Sequence, residues 1–145
     1  MIISPQDAIQ LPLHDADFLN LTLKPNENGL ITALLKVKLH PDESLDSLGK
    51  MGITGSEFYF IFQDCLQVKT NVLGYAARPE TISTFGIVEK SELKEKLLAD
   101  GMTSNPQLVH FKLDGSKGSQ IDVIATAILV TDKVESHWEA NPIAG

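Results

Sequence analysis

A two-residue alternation of side chains recurs in seven runs of this sequence and limits what the chain can fold into. This period is typical of strands that bury one face, and Asn28-Gly29 between two of the runs favours a hairpin. The alternating runs are residues 16–23, 30–39, 57–63, 66–71, 81–88, 107–113 and 120–131.

The pattern predicts a mostly-β fold, either a single-domain antiparallel β-sandwich or a strongly curved sheet, with one or two short surface helices. An α+β arrangement is the alternative. A chain of 145 residues suits one domain over residues 1–145. Within it, we expect a short N-terminal helix or turn over 1–12 and a frayed tail over 132–145.

The stretch 91–100 has helical rather than alternating spacing. Ser91 is placed to cap the first free N–H groups, and Gly101 is placed to end the helix in the left-handed conformation. Three leucines are expected to form one stripe against the rest of the protein: Leu93, Leu97 and Leu98.

Phe58, Phe60 and Phe62 share one face of a run whose other face is also apolar, which indicates a central strand with phenylalanines in the core. Asp64-Cys65 interrupts this run as a bulge or a tight turn. Strict alternation also assigns shared faces in the first and last runs. These are Leu19, Leu21 and Leu23, and then Ile121, Val123, Ala125, Ala127 and Leu129.

The chain is acidic, with 19 acidic and 12 basic residues and a net charge of −7, and Arg78 is its single arginine. Nucleic-acid binding depends on basic side chains that neutralise phosphates, so we expect no nucleic-acid partner. The acidic balance instead suits a basic protein partner. Self-association is also open, because the long apolar run 120–131 must be paired, covered or used if it forms a sheet edge.

No apolar run reaches the roughly 18 residues of a membrane-spanning helix, so we expect no membrane association. The N-terminus lacks the basic and apolar regions of a signal peptide. Cys65 is the single cysteine, which excludes an intramolecular disulfide and favours a buried free thiol. A cytoplasmic location is the expectation from these features.

His14-Asp15, just before the first alternating run, is the motif that most invites a functional interpretation. A catalytic interpretation would use the imidazole as a base and the carboxylate to orient it. Adjacent residues of an extended segment point to opposite sides, however, which favours a structural role in bonding backbone groups at the strand entry.

The other candidates lack essential parts of the chemistry they suggest. The segments 40–43 and 137–139 contain His with Asp or Glu, but neither holds three or four ligands for a metal. The segment 114–119 lacks the residue order of a phosphate loop and precedes a strand, so it is expected to be a hairpin turn. We therefore predict no catalytic, cofactor-binding or metal-binding residue, and no cofactor.

Leu13-His14-Asp15-Ala16, followed by an alternating strand, resembles the start of a group of small bacterial domains. That group includes an immunity-protein family of polymorphic toxin systems. The similarity extends over about residues 13–131, and the chain departs from it by longer connections at 40–56 and 89–106. The resemblance implies a protein partner such as a toxin, and it carries over no catalytic residue.

Three functional hypotheses follow. The first is a non-catalytic cytoplasmic domain that binds another protein, with neutralisation of a toxin as its most specific form. The alternative is a β-sandwich or barrel that holds a small apolar or sugar-like ligand between the strands of Phe58 and Ile121. The third is a hydrolase, which would require His14, Asp15 or His40 to meet in one cleft.

Overall fold

The computed structural model describes residues 2–11, 13, 16–25, 29–39, 49, 53, 55–71, 80–102 and 107–132. In these ranges the chain forms nine strands and two short helices, which confirms the mostly-β prediction. In chain order the elements are β1 (Ile2–Ile3), α1 (Pro5–Ile9), β2 (Asp17–Pro25), β3 (Ile31–Lys38), β4 (Glu57–Cys65), β5 (Gln67–Asn71), β6 (Glu80–Ile87), α2 (Glu92–Ala99), β7 (Val109–Gly115), β8 (Gln120–Ala125) and β9 (Ala127–Thr131).

All nine strands belong to one antiparallel sheet in the order β1-β9-β4-β3-β2-β6-β7-β8-β5. The predicted hairpins β2–β3 and β7–β8 are present in this order. One part of the sheet contains β1, β9, β4, β3 and β2, and the other contains β6, β7, β8 and β5. The two parts join between β2 and β6, where two residue pairs are in register, Asp17 with Thr81 and Phe18 with Glu80.

Two long runs of chain, β4–β5 and β8–β9, each contribute a strand toward both ends of the strand order. β4 and β5 are separated by Leu66 alone, and β8 and β9 by Thr126 alone. β4 pairs with β9 near one end of the strand order, and β5 pairs with β8 at the other. The sheet is therefore strongly curved, because each of these two runs passes from one part of the strand order to the other.

Both runs kink at the same level. Asp64 has a left-handed backbone conformation with φ 51°, and an extra residue between Phe62 and Cys65 shifts the register against β3, so the predicted interruption is a β-bulge. Across the kink, Leu66 N–H donates to the Ile124 carbonyl at 2.9 Å, and Thr126 N–H donates to the Gln63 carbonyl at 3.3 Å.

The bulges and bends in these strands change which side chains face the core. The faces predicted from strict alternation are therefore wrong for the residues that follow them. After Thr126, the residues that enter the core are Ile128 and Val130 rather than Ala127 and Leu129. A register shift between Phe18 and Asn20 has the same effect in β2. The side chains that pack inward from β2 are Phe18, Leu21 and Leu23, and Leu19 lies at the shift.

An aromatic cluster fills the centre of the curved sheet. Phe58, Phe60 and Phe62 are at most 2% exposed, which confirms their core position. Phe85 from β6 and Phe111 from β7 join them, with neighbouring ring centroids 5.3 to 6.4 Å apart. Rings from both parts of the sheet are therefore in contact, which stabilises its curvature.

The run 120–131 is not an edge of the sheet. β8 lies between β7 and β5, and β9 lies between β4 and β1. In the described part of the chain, the outermost strands are β1 and β5 instead. The self-association hypothesis required residues 120–131 to form an unpaired edge, and both strands of this run are instead paired on each side.

Both predicted helices form at their capping residues. Ser4 Oγ accepts the Asp7 N–H at 3.1 Å at the start of α1. Ser91 Oγ accepts the Lys94 N–H at 3.0 Å at the start of α2, and Gly101 ends α2 with φ 71°. Of the three leucines expected to share a stripe, Leu93 and Leu97 are half-buried and Leu98 is exposed. Of the predicted tail, residues 133–145 lie outside the described residues.

Cys65 lies in the kink, fully buried, and burial raises the pKa of its thiol from 9.0 to about 12. That change corresponds to a roughly 1,000-fold smaller thiolate fraction at neutral pH. We expect native protein to react with a thiol-specific disulfide reagent far more slowly than protein unfolded in guanidinium. Because the chain has one cysteine, absorbance of the released thiolate reports this site alone, and fast stoichiometric reaction of native protein would contradict the assignment.

Candidate functional site

The histidines singled out in the sequence, His14, His40 and His137, lie outside the described residues, as does Asp15. The residues on either side of His14-Asp15 are buried, with Leu13 3% exposed and Ala16 fully enclosed. The Ala16 carbonyl accepts the Ile82 N–H at 2.8 Å. The ends of this segment are therefore fixed to the core and to β6.

The segment considered as a phosphate loop is a hairpin turn between β7 and β8, as predicted. Its amides nevertheless surround an anion, which is the carboxylate of Glu80 from β6. Glu80 Oε2 accepts the Lys117 N–H at 2.8 Å and the Ser119 N–H at 3.1 Å, and Oε1 accepts the Ser119 hydroxyl. The side chain is 3% exposed.

Two opposing effects act on the pKa of Glu80. Burial raises the pKa. The hydrogen bonds from Ser119 and Lys117, together with the Lys117 charge, lower the pKa by more than burial raises it, so the pKa of Glu80 lies below its ordinary 4.5. Gly115 belongs to the same arrangement, because a Cβ there would overlap the Glu80 carboxylate. The turn is therefore built around an ionised side chain.

Glu80→Gln is expected to destabilise the protein by roughly 1.5–3 kcal/mol, because the amide lacks the negative charge that strengthens these hydrogen bonds and has one acceptor oxygen in place of two. The wild-type contribution is complete above pH 4.5 and is lost as pH falls through the lower pKa of the folded state. Urea unfolding at neutral and acidic pH should show this loss in wild type and not in the variant. Glu89→Gln on the exposed surface is the control, and equal pH dependence in E80Q and wild type would contradict the role.

A second buried polar cluster joins Ser91, His110 and Asp122. His110 Nδ1 lies 2.6 Å from Ser91 Oγ, and His110 Nε2 lies 2.7 Å from Asp122 Oδ1. Ser91 and His110 are 3% and 6% exposed. In the register of the β7–β8 hairpin, Asp122 is diagonal to His110, which brings both onto the outer face next to α2.

The Asp122 carboxylate sets the tautomer of a neutral His110 ring. A carboxylate can only accept, so His110 Nε2 carries the hydrogen and donates to Asp122. In the neutral ring Nδ1 is then an acceptor, and the Ser91 hydroxyl donates to it while accepting the Lys94 N–H. Each of the three side chains is satisfied within the cluster.

These are the residue types of a catalytic triad, but their placement serves structure. A nucleophilic hydroxyl must face a space for substrate, whereas Ser91 is enclosed and its oxygen caps α2. The cluster instead fastens the start of α2, which has no fully buried side chain of its own. Sequence alone suggested the Ser91 cap, but the His110 contact depends on where the helix lies on the hairpin.

Ser91→Ala should remove the helix cap and leave His110 Nδ1 buried without its donor, at a cost of roughly 1–3 kcal/mol. Hydrogen exchange at the α2 amides should accelerate more than exchange in β4. Ser91→Thr retains the hydroxyl and serves as the matched control. Unchanged α2 exchange in S91A would show that the cluster does not fasten the helix.

A groove of about 390 Å³ lies on the outer face of the sheet, across β3, β4 and the end of β9. Its lining combines both signs of charge with one aromatic ring. The residues are Lys36, Lys38, Gly55, Ser56, Glu57, Tyr59 and Asp132.

The walls of this charged groove differ in sign. Lys36 and Lys38 form one wall on β3, and Glu57 on β4 is directly opposite Lys38 in register. Tyr59 forms part of the floor and is 8% exposed, with Lys36 Nζ 5.5 Å from its ring centroid. Asp132 adds a second carboxylate beyond the end of β9.

The interior of the sheet leaves little space by comparison. Side chains from both parts, including Leu21, Phe62, Phe85 and Val123, surround a gap of about 10 Å³. A gap of about 10–15 Å³ is the least that holds one water molecule. This gap is therefore too small for the apolar or sugar-like ligand of the alternative hypothesis.

Within the described ranges, no three His, Cys, Asp or Glu side chains come together in a metal-binding arrangement. Among the same residues, no helix has the length and apolar character needed to cross a membrane.

Comparison of the chain with protein-family models, with curated proteins and with solved structures finds no match. The resemblance through Leu13-His14-Asp15-Ala16 stays a prediction.

Proposed function

We propose that this chain is a non-catalytic protein-binding domain and that the charged groove is part of the surface that contacts its partner. The observation that carries the proposal is the placement of two lysines, two carboxylates and a tyrosine around one groove on the outside of a filled sheet. Arrangements of this kind give an interface its specificity and orient the partner on approach.

The fold supports a rigid surface at this position. Lys36 and Lys38 alternate with the buried residues Leu35, Val37 and Leu39, so their backbone is fixed by the core. Tyr59 lies in the central strand β4, between β3 and β9. Because Tyr59 is only 8% exposed, it supports the floor of the groove, and the exposed side chains of Lys38 and Glu57 provide the surface that a partner can contact.

The finer form of the proposal is an immunity-type role in the cytoplasm, with a toxin as the partner. It is supported by the resemblance at Leu13-His14-Asp15-Ala16 and by the net charge of −7, which suits a basic partner. The buried, unpaired thiol of Cys65 is compatible with a reducing compartment.

The test compares tagged wild type with Lys36→Glu/Lys38→Glu as bait for proteins of the native host. Reversal of one wall should reduce recovery of the specific partner at least about tenfold, because the anionic groups of the partner that match Lys36 and Lys38 would then face carboxylates. The matched control is Lys90→Glu/Lys96→Glu, which changes the net charge equally at exposed positions near α2.

A partner retained by wild type and control but lost from the groove variant would support the proposal. A partner retained equally by all three proteins would place the interface elsewhere. A stable monomer that retains no protein in repeated experiments would contradict a protein-binding role.

A further inference from the structure

We infer that β2 pairs with β2 of a second copy of this chain, so that two sheets join edge to edge across a two-fold axis at Thr22. This pairing goes beyond the proposed function, because it uses the edge of a strand rather than the charged groove. The ladder of β2, the exposure of its inward side chains and the residues along its edge all support it.

Most of β2 is bonded to the sheet along one edge. Its ladder with β6 has two residue pairs, and it ends where Phe18 faces Glu80. In this antiparallel register the next position belongs to Pro79, which has no N–H to extend the ladder. From Leu19 to Leu23, the ladder partner of β2 within the described ranges is β3 alone. The second edge of this stretch can therefore accept another strand.

The exposure of the inward side chains changes between β3 and β2. On β3, Ala33 and Leu35 are at most 1% exposed. Their cross-strand neighbours on β2 are Leu23 and Leu21, which pack against the same core but are only half-buried. The core is therefore closed over β3 and partly open at β2, where an added strand would cover the two leucines.

The strands at the two ends of the sheet are protected against pairing, and β2 is not. β1 has two residues, and β5 has the exposed Lys69 at its centre. Short edge strands and exposed lysines are common protections against association through an edge. The stretch from Leu19 to Leu23 has the sequence Leu-Asn-Leu-Thr-Leu, without a charged residue.

This sequence suits antiparallel pairing with itself. An axis at Thr22 places Thr22 opposite its own copy. It also places Leu21 opposite Leu23 of the second copy, and Asn20 opposite Lys24. Residues directly opposite each other in an antiparallel pair share a face, so leucines meet on the inner side, polar residues meet on the outer side, and no like charges are opposed. A two-fold pairing is also closed, so it stops at the dimer.

β6 and the two faces of β2 determine this register. An axis at Leu21 would direct Lys24 of the second copy to Phe18, whose place in the ladder Glu80 already occupies. An axis between two residues would set inner leucines against outer polar residues. The axis at Thr22 avoids both conflicts.

The test is sedimentation equilibrium of the full chain from roughly 10 µM to 1 mM, because about five residue pairs give a small interface of the weak, reversible class. Wild type should pass from monomer to dimer as concentration rises. Thr22→Lys should raise the dissociation constant at least about tenfold, because two ammonium groups would then meet at the axis. Thr22 is half-buried and alternates with the inward leucines, so the longer side chain can extend outward, and the amide NMR spectrum reports whether the variant is folded.

Two further samples make the test specific to β2. Thr70→Lys is the matched control, because it makes the same exchange at an exposed position of β5, and it should dimerise like wild type. An equal mixture of Thr22→Lys and Thr22→Glu should form a heterodimer more tightly than either variant forms a homodimer, since opposite charges then meet at the axis. A variant that has merely lost its fold could not show this recovery.

A wild-type chain that stays monomeric over the whole range would overturn the inference. A dimer of equal strength in Thr22→Lys would also overturn it, and one weakened more by Thr70→Lys would place the interface on β5 instead. Growth beyond the dimer would contradict a closed two-fold pairing. None of these variants changes Lys36 or Lys38, so recovery of a partner through the charged groove is measured separately and either proposal can fail alone.

Discussion

The matched kinks in two long runs of chain are the constraint on which this structure depends. At Gln63 and Leu66 on one run, and at Thr126 on the other, the strands change direction while remaining paired. The change in direction places β4 and β9 in one part of the sheet and β5 and β8 in the other. Without it, phenylalanines from β4 and from β7 could not share one interior.

Polar groups inside the fold follow a common rule, which is that each finds its partner within the molecule. In the described residues, every buried side-chain nitrogen or oxygen has a hydrogen-bond partner. Glu80 satisfies a turn, and His110 satisfies a helix cap and a carboxylate. The charged groove lies on the outer face, where another molecule can reach exposed residues such as Lys38 and Glu57.

Local patterns were sufficient to predict β2 to β9 from alternation, and the α2 helix and its caps from helical spacing, because each depends on neighbouring residues. They did not predict β1, which lies in the stretch expected to form a helix or turn. Alternation was insufficient where an extra residue reverses the pattern, as at Leu19 and Thr126, since a bulge leaves no period of its own. Prediction of the contact between His110 and Ser91 requires knowing where α2 lies on the β7–β8 hairpin. Prediction of the groove requires knowing that β4 lies between β3 and β9, and no local pattern in the sequence contains this information.

The Glu80 carboxylate has a consequence for how the β7–β8 turn relates to small molecules. Converging amides and a hydroxyl are the groups with which loops hold free anions, and here they are already occupied by a tethered one. With alanine in place of Glu80, the two amides and the Ser119 hydroxyl would lack their acceptor, and a free carboxylate such as acetate could take its place. In the native chain, the donors of this turn are thus committed to a side chain of the same molecule.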